Sequence, residues 1–168
     1  MAHTKLEKLA DETGSALKKH GLLLATAESC TGGGFSYYIT SIAGSSNWFD
    51  RGFVTYSNAA KIEMLGVNPS TLDRHGAVSE ETAREMAEGA LANSNADISI
   101  AITGIAGPDG GTKDKPIGTV WLAFARNGEH THTKLIHCKG DRQAVRETTI
   151  ELALNGLLEL QRGSGLTS

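Results

Sequence analysis

Ser29 stands in the segment Ala-Glu-Ser-Cys-Thr-Gly-Gly-Gly, residues 27–34, directly after a short apolar run. A small nucleophile at the end of a buried strand, followed by glycines that open a helix, lets backbone N–H groups approach a ligand closely. Such amides stabilise the negative charge that develops in acyl transfer. The segment lacks the lysine of a Walker A loop, and Ala27 and Thr31 replace the two glycines of Gly-x-Ser-x-Gly. We predict Ser29 as the nucleophile, with Cys30 as the alternative.

Cys30 competes for this role because a thiol near a helix N-terminus has a lowered pKa and is intrinsically reactive. The other interpretation is a buried structural thiol. Cys138 is distant in sequence, so the two cysteines form no Cys-x-x-Cys motif and cannot make a tetrahedral zinc site alone. We predict no metal and no cofactor. Zinc-dependent hydrolysis is a further alternative, and its ligands would be His130, His132 and His137.

A serine nucleophile needs a base, since its hydroxyl is almost wholly protonated at neutral pH. None of the six histidines stands in a predicted strand-end loop. Lys61 ends the segment Tyr-Ser-Asn-Ala-Ala-Lys, residues 56–61, which follows a predicted strand and begins a helix. Partial burial beside the sheet could lower the lysine pKa from about 10.4 toward about 7. We predict Lys61 as the base, and the alternative is a surface lysine of that helix.

Three polar or glycine-rich loops directly follow predicted strands, at residues 28–34, 56–61 and 103–111. In open α/β sheets, ligands bind at the carboxyl ends of strands near a switch in strand order. Strand ends need turns in any protein, but three such loops together predict one site. Arg142 follows Lys-Gly-Asp at the start of the last predicted helix, where it could hold a phosphate or lie in solvent.

The elements that must position these residues alternate between helix and strand, and the last two strands form a hairpin. Ser79 and Asp141 are predicted N-caps, and Asn127-Gly128 is a strong hairpin turn. The predicted strands are residues 22–27, 49–56, 97–103, 118–126 and 132–138, and the predicted helices are 35–42, 59–65 and the segments before Gly21, after Ser79 and after Asp141. This order predicts an α/β fold, a three-layer α/β/α sandwich with a mixed sheet. Residues 1–162 are predicted as one domain and 163–168 as a disordered tail.

The composition argues against several other classes of protein. With a formal net charge of -3 and 5% aromatic residues, the chain lacks the basic stripe and stacking residues of nucleic-acid-binding proteins. No N-terminal stretch resembles a signal peptide, and no apolar run reaches the roughly 18 residues of a membrane span. We therefore predict a cytoplasmic protein with neither nucleic acid nor membrane as a partner, and a homo-oligomer remains an open option.

Four motifs together resemble the competence/damage-inducible CinA C-terminal domain family. They are Ala27 to Gly33, Tyr56 to Lys61, His75 to Ser79 and Thr103 to Pro108, in the family's order. The resemblance runs from about Leu6 to Leu160. Active members of the family are nicotinamide-nucleotide amidases, so the resemblance implies deamidation of nicotinamide mononucleotide to nicotinate mononucleotide and ammonia. Many members carry a larger N-terminal domain, whose own activity is not implied here.

The family's motifs assign roles to individual residues of this chain. The serine of the first motif maps to Ser29, and the tyrosine and lysine of the second map to Tyr56 and Lys61. The Thr-Gly-x-x-Gly-Pro loop maps to Thr103, Gly104, Gly107 and Pro108. The predicted binding residues are Cys30, Thr31, Gly32 and Gly33 around the oxyanion, and Thr103, Gly104, Gly107 and Arg142 around the rest of a pyridine nucleotide.

The predicted chemistry is acyl transfer in two steps. We hypothesise that Ser29 attacks the carboxamide carbon while Lys61 takes the serine proton and later passes one to ammonia. Tyr56 would orient the lysine or the carboxamide. The alternative function is a non-catalytic nucleotide-binding or regulatory module, which would use the same glycine-rich loops. A neutral Lys61 in contact with Ser29 distinguishes the two, because binding alone has no use for it.

Overall fold

A computed structural model describes residues 3–163 of the chain. Within these residues, six α-helices and five strands follow one another in largely alternating order. They are α1 Lys5–Lys19, β1 Leu24–Glu28, α2 Gly34–Thr40, β2 Phe49–Val54, α3 Asn58–Leu65, α4 Pro69–His75, α5 Glu80–Ala92, β3 Ile98–Gly104, β4 Thr119–Arg126, β5 His132–His137 and α6 Arg142–Gln161. A 3-10 turn at Ser45–Asn47 precedes β2.

The five strands form one mixed sheet in the order β2-β1-β3-β4-β5. β1 pairs in parallel with both β2 and β3, whereas β3 with β4 and β4 with β5 are antiparallel. From β1 the chain crosses to β2 on one side and later returns to β3 on the other. This reversal makes a crevice at the carboxyl ends of β1 and β3, where open α/β sheets bind ligands.

Helices cover both faces of the sheet and confirm the predicted three-layer α/β/α sandwich. On one face, α1, α2 and α6 bury side chains such as Leu17, Phe35 and Leu154 against Leu24 of β1. On the other face, α3, α4 and α5 pack against small residues of the strands, among them Ala27. Alternate residues of a strand point to opposite faces of the sheet, so β1 contributes side chains to the packing on both faces. All five residues of β1 are buried.

The local signals in the sequence place most of the helix and strand ends within a few residues. Ser79 caps α5 by accepting from the Thr82 amide at 3.2 Å, as predicted. Asp141 caps α6 in the same way, through the Ala144 amide at 2.9 Å. The helix α4 was not among the predicted elements, although Asn68 and Pro69 supply an N-cap and a first-turn proline.

Two predictions concern the extent of the domain. The tail predicted for residues 163–168 lies, apart from Gly163, outside the described residues. We retain residues 1–162 as a proposed single domain, because both helical layers pack on one sheet. Among residues 3–163, no helix combines the length and apolar character that crossing a membrane requires.

Gly89 allows α5 to approach the end of α3 very closely. A Cβ atom built at this position overlaps the backbone carbonyl of Leu65, the last residue of α3. Alanine normally stabilises a helix interior relative to glycine by about 0.5–1 kcal/mol. Here we expect Gly89→Ala to lower the free energy of unfolding by about 1–3 kcal/mol, because backbone atoms must move apart. Urea unfolding measures this change, and a variant as stable as the wild type would contradict the close approach.

Candidate active site

A pocket of about 270 Å³ lies at the carboxyl ends of β1 and β3. The three predicted strand-end loops meet there. Its lining consists of Ser29, Cys30, Tyr56, Asn58, Lys61, residues 77–78, 103–107 and 109–110, and Arg142. Four grooves elsewhere on the described residues are larger, at about 350 to 460 Å³. In none of these four does a lysine or histidine hydrogen-bond to a serine or cysteine, so we take the smaller pocket as the candidate active site.

Ser29 and Lys61 contact each other at the base of this pocket. The Nζ atom of Lys61 lies 3.0 Å from the Oγ atom of Ser29, at hydrogen-bond distance. It also lies 2.8 Å from the Thr55 carbonyl oxygen and 3.4 Å from the Tyr56 carbonyl oxygen. Lys61 is only 1% exposed, although lysine is among the residues least often buried without an ionic partner.

The environment of Lys61 favours its neutral form. Burial lowers the pKa of the Lys61 amine, and the neighbouring Cys30 opposes this shift to a smaller extent. No carboxylate of residues 3–163 forms an ion pair with Lys61. A neutral amine has two N–H groups and one lone pair. The carbonyls of Thr55 and Tyr56 can accept both N–H groups, which leaves the lone pair for the Ser29 hydroxyl proton.

Thr31, Gly32 and Gly33 shape the turn and lie outside the lining of the pocket, and their role in binding stays a prediction. The Thr31 hydroxyl donates to Glu28 at 2.6 Å, and the Thr31 carbonyl accepts from Arg146 at 3.1 Å. The Gly32 amide donates to the Ser29 carbonyl at 2.9 Å. Gly33, with φ of 95°, occupies the N-cap position of α2. These hydrogen bonds engage the Thr31 hydroxyl and the Gly32 amide within the turn, and the cradle of amides from Cys30 to Gly33 stays a prediction.

The amide of Cys30 is the part of the predicted cradle that belongs to a residue lining the pocket. Cys30 lines the pocket next to Ser29, and its N–H donates to no carbonyl or other side chain of residues 3–163. The Ser29 amide, in contrast, donates to the Ile102 carbonyl at 2.9 Å. The Cys30 N–H is therefore the candidate donor to an oxyanion on a Ser29 adduct.

The Cys30 thiol differs from the reactive thiol that its sequence position suggests. Burial raises its pKa to about 12, and the Cys30 side chain belongs to the apolar core. The physical reason is that α2 begins only at Gly34, so the thiol is not at the first turn of a helix and gains no stabilisation there. The structural interpretation of Cys30 is the one that its surroundings favour.

We expect the native thiols to react slowly with a disulfide reagent such as dithionitrobenzoate. Thiol reactivity follows the thiolate fraction, and a pKa of about 12 leaves only about 10⁻⁴ of Cys30 ionised at pH 8. Cys138 is also buried with a raised pKa. The measurement is the rate of thiol release in native protein against the same protein in guanidinium chloride. Rapid reaction of one thiol in native protein would contradict the burial of Cys30.

Tyr56 and Arg142 form the mouth of the pocket. The Tyr56 hydroxyl accepts from Arg142 Nη2 at 2.9 Å, and Arg142 Nη1 donates to the Gly107 carbonyl at 2.8 Å. Tyr56 therefore contacts Lys61 through its backbone carbonyl, and its side chain orients Arg142 instead of the lysine. The guanidinium group is held by two partners on the pocket rim. A fixed cation at this position suits an anionic group of a ligand.

The Thr103–Gly107 segment forms one wall of the pocket. Thr103 is 1% exposed, and its hydroxyl donates to the Ala77 carbonyl at 2.7 Å, which ties this wall to residues 77–78. Gly104 lies against β4, since a Cβ there would meet Val120. Gly107 has φ of 85°, a conformation that favours glycine, and it presents its carbonyl to Arg142. These predicted binding residues thus lie on the pocket, although the Thr103 hydroxyl is already engaged.

The histidines do not form the alternative zinc site in the described structure. Within residues 3–163, no three His, Cys, Asp or Glu side chains are grouped so that they could hold a metal ion. The rings of His130 and His132 have centroids 6.4 Å apart and make an edge-to-face contact. The zinc alternative therefore lacks a ligand set in this part of the chain.

Comparison with known proteins gives consistent similarities. The family model described as "CinA C-terminal domain" matches residues 6–161. A protein of Escherichia coli (strain K12) named "Nicotinamide-nucleotide amidohydrolase PncC" is 52% identical over 157 residues, covering 94% of this chain and 95% of that protein. The crystal structure of competence/damage inducible protein CihA from Agrobacterium tumefaciens has a TM-score of 0.90 at 43% identity, covering 95% of this chain and 98% of the other. A CinA superfamily protein from Klebsiella pneumoniae has a TM-score of 0.91 at 38% identity, with coverage of 95% and 99%.

Proposed function

The chain belongs to the CinA C-terminal domain family, and we propose that it is a nicotinamide-nucleotide amidohydrolase. Its reaction would convert nicotinamide mononucleotide and water to nicotinate mononucleotide and ammonia. The observation that carries the proposal is the 3.0 Å contact between Lys61 Nζ and Ser29 Oγ in a pocket. The amidohydrolase name of a relative that is 52% identical over nearly the whole chain supports it.

In the first step, Ser29 becomes acylated. The neutral Lys61 amine accepts the hydroxyl proton while Ser29 Oγ attacks the carboxamide carbon. The carbonyl oxygen gains negative charge, which the Cys30 N–H would stabilise. The Lys61 ammonium then gives its proton to the amide nitrogen, the C–N bond breaks, and ammonia leaves. The product is a nicotinoyl ester of Ser29, and the lysine is neutral again.

In the second step, water hydrolyses the ester of Ser29. Lys61 takes a proton from a water molecule as the water oxygen attacks the ester carbon. The tetrahedral intermediate collapses, the bond to Ser29 Oγ breaks, and Lys61 returns the proton to the serine. The remaining proton of the water passes to solvent, and nicotinate mononucleotide leaves as the carboxylate. At the end of the cycle the Ser29 hydroxyl is protonated and the Lys61 amine is neutral, as at the start, and no redox step is involved.

Arg142 is proposed to bind the phosphate end of the nucleotide. Its guanidinium group lies at the mouth of the pocket, held by Tyr56 and Gly107 as described, and phosphate is a preferred partner of arginine. The carboxamide would lie at the base against Ser29, and the ribose along the wall formed by Thr103 and Gly104.

Ammonia release from nicotinamide mononucleotide, nicotinamide riboside and nicotinamide tests the proposed function. We expect kcat/KM to be highest for the mononucleotide, by about 10- to 100-fold over the riboside, because a charge-assisted contact to phosphate is lost in the riboside. Release from none of the three compounds would contradict the amidase. Binding of the mononucleotide without release would favour the alternative, a non-catalytic nucleotide-binding module.

A further inference from the structure

Glu28, which is not among the predicted site residues, is a buried carboxylate one position before the nucleophile. It is 1% exposed. Its Oε1 atom accepts from the Thr31 hydroxyl at 2.6 Å and the Phe35 amide at 2.8 Å. Its Oε2 atom accepts from the Ser36 amide at 3.1 Å and the Ser36 hydroxyl at 2.8 Å. No cation of residues 3–163 pairs with it. A buried carboxylate is costly unless donors satisfy it, and here four donors do so.

These four hydrogen bonds fasten the turn that carries Ser29. Thr31 lies inside the turn, whereas Phe35 and Ser36 belong to the first turn of α2. Glu28 itself is the last residue of β1, which is fully buried and lies between β2 and β3 in the sheet. The carboxylate therefore joins the turn and the beginning of α2 to a rigid strand.

The two members of the Ser29–Lys61 pair are held by different parts of the fold. Lys61 lies on α3 and is oriented by the carbonyls of Thr55 and Tyr56, after β2. Ser29 lies in the turn after β1, on the other side of the contact. The distance between the two atoms therefore depends on how firmly the turn is held to β1.

We propose that Glu28 is a positioning residue, which holds the β1–α2 turn so that Ser29 Oγ stays within hydrogen-bond distance of Lys61 Nζ. This inference rests on the proposed function of the same site. Its effect is on the placement of the nucleophile, since Glu28 does not line the pocket. Misplacement of a reacting group by about 1 Å can cost about 100-fold in rate.

Two variants separate the parts of this network. Glu28→Gln keeps the shape of the side chain, but both carboxylate oxygens accept from a backbone N–H and glutamine has only one acceptor oxygen. One amide of α2 must then lose its partner. Thr31→Val removes only the bond from the turn and leaves the other three, so it tests the proposal even if Glu28→Gln does not fold.

Ser99→Ala is the matched control for a lost buried hydrogen bond. The Ser99 hydroxyl donates to the Ala87 carbonyl at 2.6 Å near the beginning of β3, at the opposite end of that strand from the pocket. The Ser99→Ala variant should have a lower melting temperature than the wild type, with Ser29 in its wild-type position. Comparing all three variants at a temperature where each is folded separates positioning from general stability.

The experiment measures kcat and KM for nicotinamide mononucleotide, and the rate at which an alkyl fluorophosphonate labels Ser29. We expect Glu28→Gln to lower kcat and the labelling rate together by about 100-fold, and Thr31→Val by about tenfold, with KM changed less than about threefold. Ser99→Ala should keep both rates. Wild-type rates in Glu28→Gln and Thr31→Val, or equal losses in Ser99→Ala, would overturn the proposal. Failure of the proposed function is distinct, because wild type would then release no ammonia while labelling still ranks the variants.

Discussion

Ser29→Ala is expected to lower the rate of ammonia release from nicotinamide mononucleotide by about 10⁴-fold or more, the loss typical of removing a catalytic nucleophile. The substitution removes the only atom of residue 29 that can bond to the carboxamide carbon. Little stability should be lost, because the serine side chain is small and makes a single hydrogen bond, with Lys61. The rate is measured by coupled ammonia detection on folded, purified protein.

Two further variants control this result. Ser46→Ala changes an exposed serine in the 3-10 turn before β2, at the opposite edge of the sheet, and should leave the rate unchanged. Cys30→Ala should keep most of the activity, since the proposed donor at this position is the backbone amide. Normal turnover by Ser29→Ala would end the acyl-serine mechanism, and loss confined to Cys30→Ala would move the nucleophile to the thiol.

Lys61→Met is expected to lower kcat by about 10³-fold, within the range found for a positioned general base. Methionine is similar in length and apolar, so it can fill the buried space that the lysine stem occupies. It cannot accept the serine proton or return it to ammonia. Lys18→Met, at an exposed position in the last turn of α1, is the matched control and should keep full activity. Equal rates in the two variants would exclude Lys61 as the base.

The pH dependence of the wild type gives an independent check of the same residue. Burial lowers the pKa of Lys61, so the neutral amine becomes populated at a lower pH than in an exposed lysine. Only this neutral form accepts a proton, and kcat/KM should therefore fall as the pH drops below that pKa, with a logarithmic slope of about one. In Lys61→Met, the residual kcat/KM should not show this decrease at low pH. A wild-type rate that increases toward acid would contradict the assignment.

Local signals determine a large part of the fold. Ser79 and Asp141 begin their helices because a side-chain oxygen can accept from an amide of the first turn, a relation that spans three residues. Asn127-Gly128 closes the hairpin because Gly128 adopts φ of 79°. Such interactions join near neighbours in the sequence, so a pattern of residue types is enough to predict them.

The Ser29–Lys61 contact joins residues that are 32 positions apart, and it depends on strand register. In the parallel pairing of β1 with β2, Glu28 lies opposite Val54, and the Thr55 amide donates to the Glu28 carbonyl at 2.9 Å. Ser29 thus adjoins residues 55–56, and α3 brings Lys61 back over the strand ends. The sequence predicts both residues as candidates, but only this register gives their distance.

The surroundings of three groups differ from what the local sequence pattern suggests. The position of Cys30 suggests an activated thiol, yet the core around it raises its pKa to about 12. Thr31 and the next two glycines suggest a ligand cradle, and the structure shows that the Thr31 hydroxyl and the Gly32 amide are already engaged near the turn. In the sequence Glu28 is indistinguishable from an ordinary residue at the end of a strand, but in the structure four hydrogen-bond donors surround its carboxylate. Each of these outcomes depends on groups brought together from separate segments.

Residue types and their spacing were enough to predict the layer architecture, the ends of most elements, the strand-end loops that carry Ser29 and Lys61, and the helix start that carries Arg142. They could do so because helix caps, turns and apolar periodicity act over a few residues. The three-dimensional packing was needed to show which of those side chains touch, which polar groups of the turn after β1 are already engaged, and which groups are removed from water. Solvation and hydrogen-bond distance depend on the packing of distant segments, and no local pattern contains that information.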